Sequence, residues 1–337
     1  VVFISRKKVR DNVVRFKSAM PSIRPHFAVK ANPNKEVLKE LLKTGALFEV
    51  ASIAEIDAMM DLNVEMASVL YSNPVKSIPS IHHAAKAGLV WFSIDSPEEV
   101  RKIASIKREA KLYLRIEVSN QDALWPLTEK FGANSRDVGS IILAAKDLGM
   151  EIAGVTFHVG SQCTNPSSWV NAIKLGTKTL NELTVNGFKP EVLNIGGGFP
   201  VQIIGSEPSI EEIGRSINHA IRCLPPNIQV LAEPGRFLVG SAGCLVTQVV
   251  GLATRSGSRW IYLDTGIYGG LMELMTDFSM PFISRRSGKI QLFNLAGPTC
   301  DSIDVMGKKW LPEDTQAQDL IYVPNTGAYS TSCSTSF

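Results

Sequence analysis

Cysteine is scarce in this 337-residue sequence, and its five cysteines (Cys163, Cys223, Cys244, Cys300 and Cys333) are scattered and odd in number. That excludes a disulfide frame and paired metal knuckles, and it fits a reducing compartment. No uninterrupted run of about 18 apolar residues occurs, so no membrane-spanning helix is expected. Neither sign of charge dominates: 35 Lys and Arg against 32 Asp and Glu leave +3, too little for a nucleic-acid surface. The opening VVFISRKKVRDNVV lacks the order of charge, apolar stretch and small-residue cleavage site of a secretory signal. Lacking an initiator Met, it is expected to start a few residues into the native chain. A Walker loop and GxGxxG are both missing. What is present is ordinary globular composition, 45% hydrophobic, 20% charged and 7% aromatic, enough to bury a sizeable core. A cytoplasmic enzyme is the class these exclusions leave.

The first 236 residues alternate short apolar, β-branched runs with longer stretches of helical spacing. The expected strands are His26–Lys30, Leu47–Ala51, Ser68–Ser72, Val90–Ile94, Lys111–Val118, Ile152–Val159, Val192–Gly196 and Val230–Glu233. Between them lie segments such as EVLKELLKTG and SPEEVRKIASIK, the latter with Ser96 as N-cap and Pro97 at the first helical position. Eight strands alternating with helices in about 240 residues predict an α/β fold, a (β/α)8 barrel, over a doubly wound sheet. Beyond Gly240 strand-like runs follow one another with almost no amphipathic helix. The expected domains are therefore a barrel over residues 1–238, with the first few residues free to join the second domain, and an all-β domain over 239–337.

Barrel chemistry sits where strands end and loops begin. Lys30 closes the first expected strand, His158 and Ser161 close the sixth, Gly196–Gly198 follow the seventh, and Glu233 and Arg236 close the eighth, with Gly235 between them. Each has a bland reading: a snorkelling surface lysine, a core histidine, a flexible turn, a turn with a surface ion pair. Each also has a chemical one. A desolvated lysine amine forms a Schiff base with a carbonyl. Bare glycine N–H groups form an anion nest. A ligand that satisfies the set needs an aldehyde, an anion and a polar ring nitrogen, and pyridoxal phosphate has all three.

The segments AVKANP, FEVAS, YSNPVK, HVGSQ, NIGGGFP, AEPGR, AGPTCDS and NTGAY stand in collinear order over nearly the whole chain. In this the sequence resembles the fold-type III, alanine-racemase-like pyridoxal-phosphate decarboxylases, and within them the ornithine decarboxylases. The resemblance implies that Lys30 carries the cofactor as a Schiff base, that His158 stacks on its ring, and that Glu233 keeps its pyridine nitrogen protonated. It implies cofactor contacts from Glu49, Arg115, Ser161, Gly197, Gly198, Gly235, Arg236 and Tyr329, with phosphate at Ser161, Gly198, Arg236 and Tyr329. Glu49 stands where the animal enzymes carry an aspartate. Loss of carbon dioxide would pass electrons to the ring through a quinonoid form, with Cys300 as the acid that returns a proton to Cα. The resemblance also implies a homodimer with shared sites, Cys300 and Asp301 coming from the partner subunit, while charge, apolar runs and cysteine spacing predict no nucleic-acid, membrane or metal partner.

The spelling CDS at Asp301 favours a terminal ammonium on the substrate, hence L-ornithine going to putrescine in polyamine synthesis, with lysine, diaminopimelate or another cationic amino acid as alternatives. The phrase YLDTGIYGG puts Asp264 one place before the usual acidic position and Thr265 in it, so both enter as substrate contacts. A racemase of the same barrel type would need a second base facing Cα. A non-catalytic regulatory homologue would lose cofactor residues, and Lys30, Glu233, Arg236, Cys300 and Asp301 are all kept. The chain stops at SCSTSF where relatives run on in an NGF-type tail, so a short tail is expected beyond it.

Overall fold

Apolar runs too short for helices and buried on both faces have one stable arrangement when helices separate them, a parallel sheet covered on both sides. In the computed structural model, which describes residues 1–125, 130–203, 205–276 and 278–337, that sheet closes on itself. The chain forms two compact units, one of residues 10–200 and 208–235, the other of residues 1–9, 201–207 and 236–337.

After β1 (Val2–Ile4) and α1 (Arg6–Ala19), the barrel builds in chain order. It runs through β2 (Ile23–Ala28), α2 (Lys35–Lys43), β3 (Leu47–Val50), α3 (Ile53–Asp61), β4 (Leu70–Tyr71), α4 (Ile78–Ala87), β5 (Trp91–Ile94), α5 (Pro97–Ala104) and β6 (Lys111–Arg115). It continues with β7 (Ala123–Trp125), α6 (Val138–Leu148), β8 (Glu151–Thr156), β9 (Ser161–Cys163), α7 (Pro166–Val185), β10 (Val192–Asn194), α8 (Ile210–Ala220) and β11 (Gln229–Ala232). The eight barrel strands pair in parallel, and β11 on β2, with Val230 opposite Ile23, shuts the ring. β7 and β9 form a separate antiparallel ribbon. The expected barrel is thus observed.

Its helices start where their caps dictate. Ser96 accepts from the Glu99 N–H with Pro97 in the first turn, and Ser209 and Glu212 make a reciprocal capping box. Leu70, Tyr113, Val192 and Leu231, from four strands, pack as one cluster with Trp91 against it. Outside, Trp169 stacks on Phe199, which meets Phe16 edge-on, both at 5.1 Å between ring centres. Truncating a buried aromatic of this kind costs about 3–5 kcal/mol.

Several strands end earlier than expected. β2 stops at Ala28, and Lys30 lies on a single 3₁₀ turn, Val29–Ala31, rather than closing the strand. β8 stops at Thr156, so His158 lies in the loop beyond it and Ser161 opens β9. β6 stops at Arg115, past which the Ile116 N–H donates to Thr156 O at 2.9 Å and Ile116 forms an isolated bridge with Ala133. In each case the apolar run continues after the ladder has ended, because loops packed at a barrel mouth bury side chains too.

The second unit contains α9 (Arg236–Val239), β12 (Gly243–Arg255), β13 (Ser258–Leu263), β14 (Ile283–Ser284), β15 (Ile290–Ala296), β16 (Val305–Pro312) and β17 (Leu320–Pro324). Its sheet runs β14-β17-β12-β13-β15-β16, with β1 also on β12. Alternate residues such as Leu245 and Val249, Ile261 and Leu263, Phe293 and Leu295, and Ile321 and Val323 form its core, the period-two pattern of a half-buried sheet.

Candidate active site

Within the barrel unit, the ends of adjacent strands gather a charged cluster. Lys30 Nζ donates to Glu49 Oε2 at 3.1 Å; the lysine side chain is 44% exposed, whereas Glu49, in β3, is fully buried. Among the described residues, Glu49 Oε1 is buried with no hydrogen-bonding partner. Burial pushes the Glu49 carboxyl up to about 8; the Lys30 charge opposes the rise and Glu233 adds to it. Glu233, just past β11, is also buried, and its Oε1 accepts from Ser72 Oγ at 2.5 Å and from Asn194 Nδ2 at 2.6 Å. Ser72 also pairs with the buried Tyr113 hydroxyl at 2.7 Å. Arg115 ends β6, and desolvation lowers its guanidinium pKa while Glu233, Asp95 and Glu49 work to raise it.

His158 has a defined role within this cluster. Its Nδ1 accepts the Gly160 N–H at 3.0 Å, so the proton of the neutral ring sits on Nε2. Burial, with Arg115 and Lys30 adding repulsion, drives its pKa down to about 3, and the ring stays uncharged. The glycine turn beside it is sterically committed. A Cβ on Gly197 would lie 2.8 Å from the Glu233 carbonyl oxygen and 2.9 Å from His158 Nε2, and one on Gly198 (φ +94°) would lie 2.4 Å from Gly160 O. Only glycine lets the backbone run this close to the cluster.

In the other unit, Arg236 is buried and held bidentate by Glu273, Nη1 to Oε2 at 2.9 Å and Nη2 to Oε1. Its guanidinium carbon lies 4.7 Å from the Phe278 ring centre and 5.0 Å from that of Tyr329, which sits in the left-handed region at φ +56°. Asp301 is half-buried on the loop before β16. Its Oδ2 accepts from Tyr268 Oη at 2.9 Å and its Oδ1 from Ile303 N at 2.9 Å, and both bonds lower its pKa, the backbone one most. Cys300 beside it is exposed. Asp264 Oδ1 accepts from Gln248 N at 2.9 Å and from Thr247 Oγ1, which ties it to β12, and Thr265 Oγ1 donates to Gly269 O at 3.2 Å.

A barrel carrying a lysine on a carboxylate, next to a glycine turn and a second buried carboxylate, narrows the chemistry, and comparison with known proteins narrows it to a family. Residues 6–240 match the family model described as pyridoxal-dependent decarboxylase, pyridoxal binding domain. The chain belongs to the pyridoxal-dependent decarboxylases. It is 33% identical over 335 residues to a lysine/ornithine decarboxylase of Selenomonas ruminantium, covering 99% of this chain and 85% of that protein. It is 32% identical to antizyme inhibitor 2 of Xenopus laevis, covering 96% of this chain and 75% of that protein. The crystal structure of the Paramecium bursaria Chlorella virus arginine decarboxylase bound to agmatine superposes with a TM-score of 0.94 at 32% identity, covering 100% of this chain and 92% of that one.

The residues of this pyridoxal-dependent carboxy-lyase fit its cofactor. Among the described residues Glu49 Oε1 is buried without a hydrogen-bonding partner on the carboxyl that Lys30 meets, and only glycine at 197 and 198 lets the backbone pass so close to His158, Gly160 and Glu233. Four residues that sequence reasoning missed support the site. Ser72, Tyr113 and Asn194 surround Glu233. Lys76 is fully buried, donating to the carbonyls of Asn73 (2.8 Å) and Ser93 (2.6 Å) and pairing with Glu99 at 2.9 Å, which pins the segment that follows β4. In the other unit the buried Asp304 has the same kind of role. Its Oδ1 accepts from Ile267 N, and its Oδ2 from Thr299 N and Thr299 Oγ1, so one side chain shapes both the loop of Tyr268 and the loop of Asp301. The sequence signal for the first three was a polar residue inside or at the end of an apolar strand, which must find a partner once buried.

Proposed function

We propose that this chain decarboxylates a cationic L-amino acid, with L-ornithine first, giving putrescine and carbon dioxide. Lysine and arginine follow, since the three relatives named above include a lysine/ornithine and an arginine decarboxylase. The observation that carries the reading is the Lys30–Glu49 pair beside Glu233 at the barrel mouth.

Pyridoxal phosphate, when bound, supplies the aldehyde that takes up an amino group and the ring that accepts the electrons of the broken bond. Lys30 is the amine that holds it. Glu49 steadies that amine, and Glu233 is the carboxylate for the ring nitrogen. Uncharged His158 offers an imidazole face and an Nε2 proton, with no charge to compete with the carboxyl group that leaves. Arg115, Ser161, Gly197, Gly198, Gly235, Arg236 and Tyr329 are assigned to the remaining contacts, with phosphate at Ser161, Gly198, Arg236 and Tyr329. Glu273 keeps the Arg236 fork oriented, at the cost of sharing its charge. Asp301, its carboxylate stabilised by Tyr268 and the Ile303 N–H, pairs with the distal ammonium of the substrate, and a carboxylate there rejects neutral side chains strongly. Asp264 and Thr265 are secondary substrate contacts. Cys300 protonates Cα, and Cys300 and Asp301 come from the second subunit of a homodimer.

The test is a panel of ornithine, lysine, arginine and diaminopimelate assayed for carbon dioxide and diamine. Putrescine from ornithine at the highest kcat/KM is expected. Release from none of the four overturns the activity, and release from another first overturns the substrate order. Activity that falls on dilution, tracking dissociation of a dimer, is the matching expectation for shared sites.

A further inference from the structure

We propose that Ser72, backed by Tyr113 and joined by Asn194, is a positioning residue that fixes Glu233 as an anion and reserves its second oxygen, Oε2, for the cofactor's ring nitrogen. This rests on the reading of Glu233 as the partner of that nitrogen.

The hydrogen-bond directions follow from counting protons. A serine hydroxyl has one hydrogen and an ionised carboxylate has none, so the 2.5 Å contact from Ser72 Oγ to Glu233 Oε1 uses the serine proton. The 2.7 Å contact between Ser72 and Tyr113 must then be donated by the tyrosine. Burial, with the Glu233 charge second, pushes the Tyr113 phenol well above 10, so it keeps the proton it donates. Asn194 is oriented independently. Its Oδ1 accepts the Gly196 N–H at 3.0 Å, which turns Nδ2 toward Glu233 at 2.6 Å. Both direct donors therefore meet one oxygen, Ser72 from just past β4 and Asn194 from the end of β10, with Tyr113 of β6 behind Ser72.

The need for such donors lies in what else surrounds Glu233. Glu49 is a second buried carboxylate acting on it, Arg115 is a neighbouring cation, and Tyr113 is neutral. Two carboxylates buried so close do not both hold charge cheaply. Among the described residues, Glu233 has two donors on Oε1 and Glu49 Oε1 has none. The donors thus meet Glu233 and not Glu49, and a carboxylate held by two donors on Oε1 offers Oε2 to the ring nitrogen, whose proton makes the ring the better electron sink.

The experiment uses holoenzyme loaded with cofactor labelled with nitrogen-15 in the ring, and reads the nitrogen chemical shift at one fixed pH without substrate. Wild type is expected at the protonated position and Glu233→Gln at the unprotonated one. Ser72→Ala is expected between them, a loss of about one to two pH units in the affinity of that nitrogen for its proton, with Tyr113→Phe moving less in the same direction. Ser72→Thr restores the hydroxyl and returns the signal to the wild-type position. If Glu233→Gln moves the signal while Ser72→Ala and Tyr113→Phe both leave it in place, the positioning role is overturned and the Glu233 assignment stands. If Glu233→Gln itself leaves the signal unmoved, the Glu233 assignment falls. Should Ser72→Ala fail to fold, Tyr113→Phe decides alone, since it deletes only the outer donor.

Discussion

Glu233 and Asp301 are both carboxylates assigned to a cationic nitrogen, yet they are built in opposite ways. Glu233 lies buried behind Ser72, Tyr113 and Asn194, each itself held by the barrel. Asp301 is half-buried on a loop, with one phenol and one backbone amide to steady it. A charge taken out of water must be met by donors already in place, or it is lost to protonation. A charge left near water needs only to be aimed. On that assignment the buried carboxylate is expected to tolerate least change, and the half-buried one to tolerate more.

The largest effect should come from the buried side. Lys30→Ala is expected to lower decarboxylation by about three orders of magnitude or more and to remove the visible absorbance of the bound cofactor; full absorbance in that variant would show the amine is not the attachment point. Glu99→Ala leaves the Lys76 ammonium buried without its carboxylate, and a loss of about 3–5 kcal/mol is expected in denaturant unfolding. A loss under about 1 kcal/mol would mean that water reaches the site.

Next comes a pH effect in the cofactor-free protein. His26 and His158 are depressed to about 4 and about 3 by burial. Unfolding lets both return to about 6.5, so the unfolded state binds more protons below that point. Stability present above pH 6.5 is lost as the pH falls toward 4, by about 3 kcal/mol for His26 alone, and His26→Gln should flatten the slope. On the open side, Asp304→Ala is expected to raise KM about tenfold through the two loops it joins, with cofactor absorbance kept; loss of the absorbance would argue against a loop role. Tyr268→Phe should be smallest, a KM change of a few-fold with the unfolding midpoint nearly unmoved, and an effect as large as that of Asp304→Ala would erase the contrast between the two carboxylates.

Much of this molecule could be read before the structure. The barrel followed from eight apolar runs separated by helical spacing, and Ser96 and Pro97 began α5 as their chemistry requires. Lys30, His158 and Glu233 drew notice because polar residues at barrel strand ends have few structural reasons to be there. Strand ends were harder, since His26–Lys30 and Ile152–Val159 stay apolar after their ladders stop. Ser72, Asn194 and Tyr113 escaped because Ser72 and Asn194 meet one oxygen atom and Tyr113 meets Ser72, a coincidence of three distant segments that no local pattern encodes. Lys76 escaped for the opposite reason: lysine is so often solvated that a fully enclosed one looks ordinary in a sequence.

Asp304 has a practical corollary for redesign. Its carboxylate occupies the room where a Cβ on Gly266 or Gly297 would stand, 2.0 Å and 2.3 Å from Oδ1. A library that varies residues 300–302 to change amine preference keeps its scaffold only while those two glycines and that aspartate are left alone. Diversity introduced at all six positions together would mostly sample broken loops rather than new specificities.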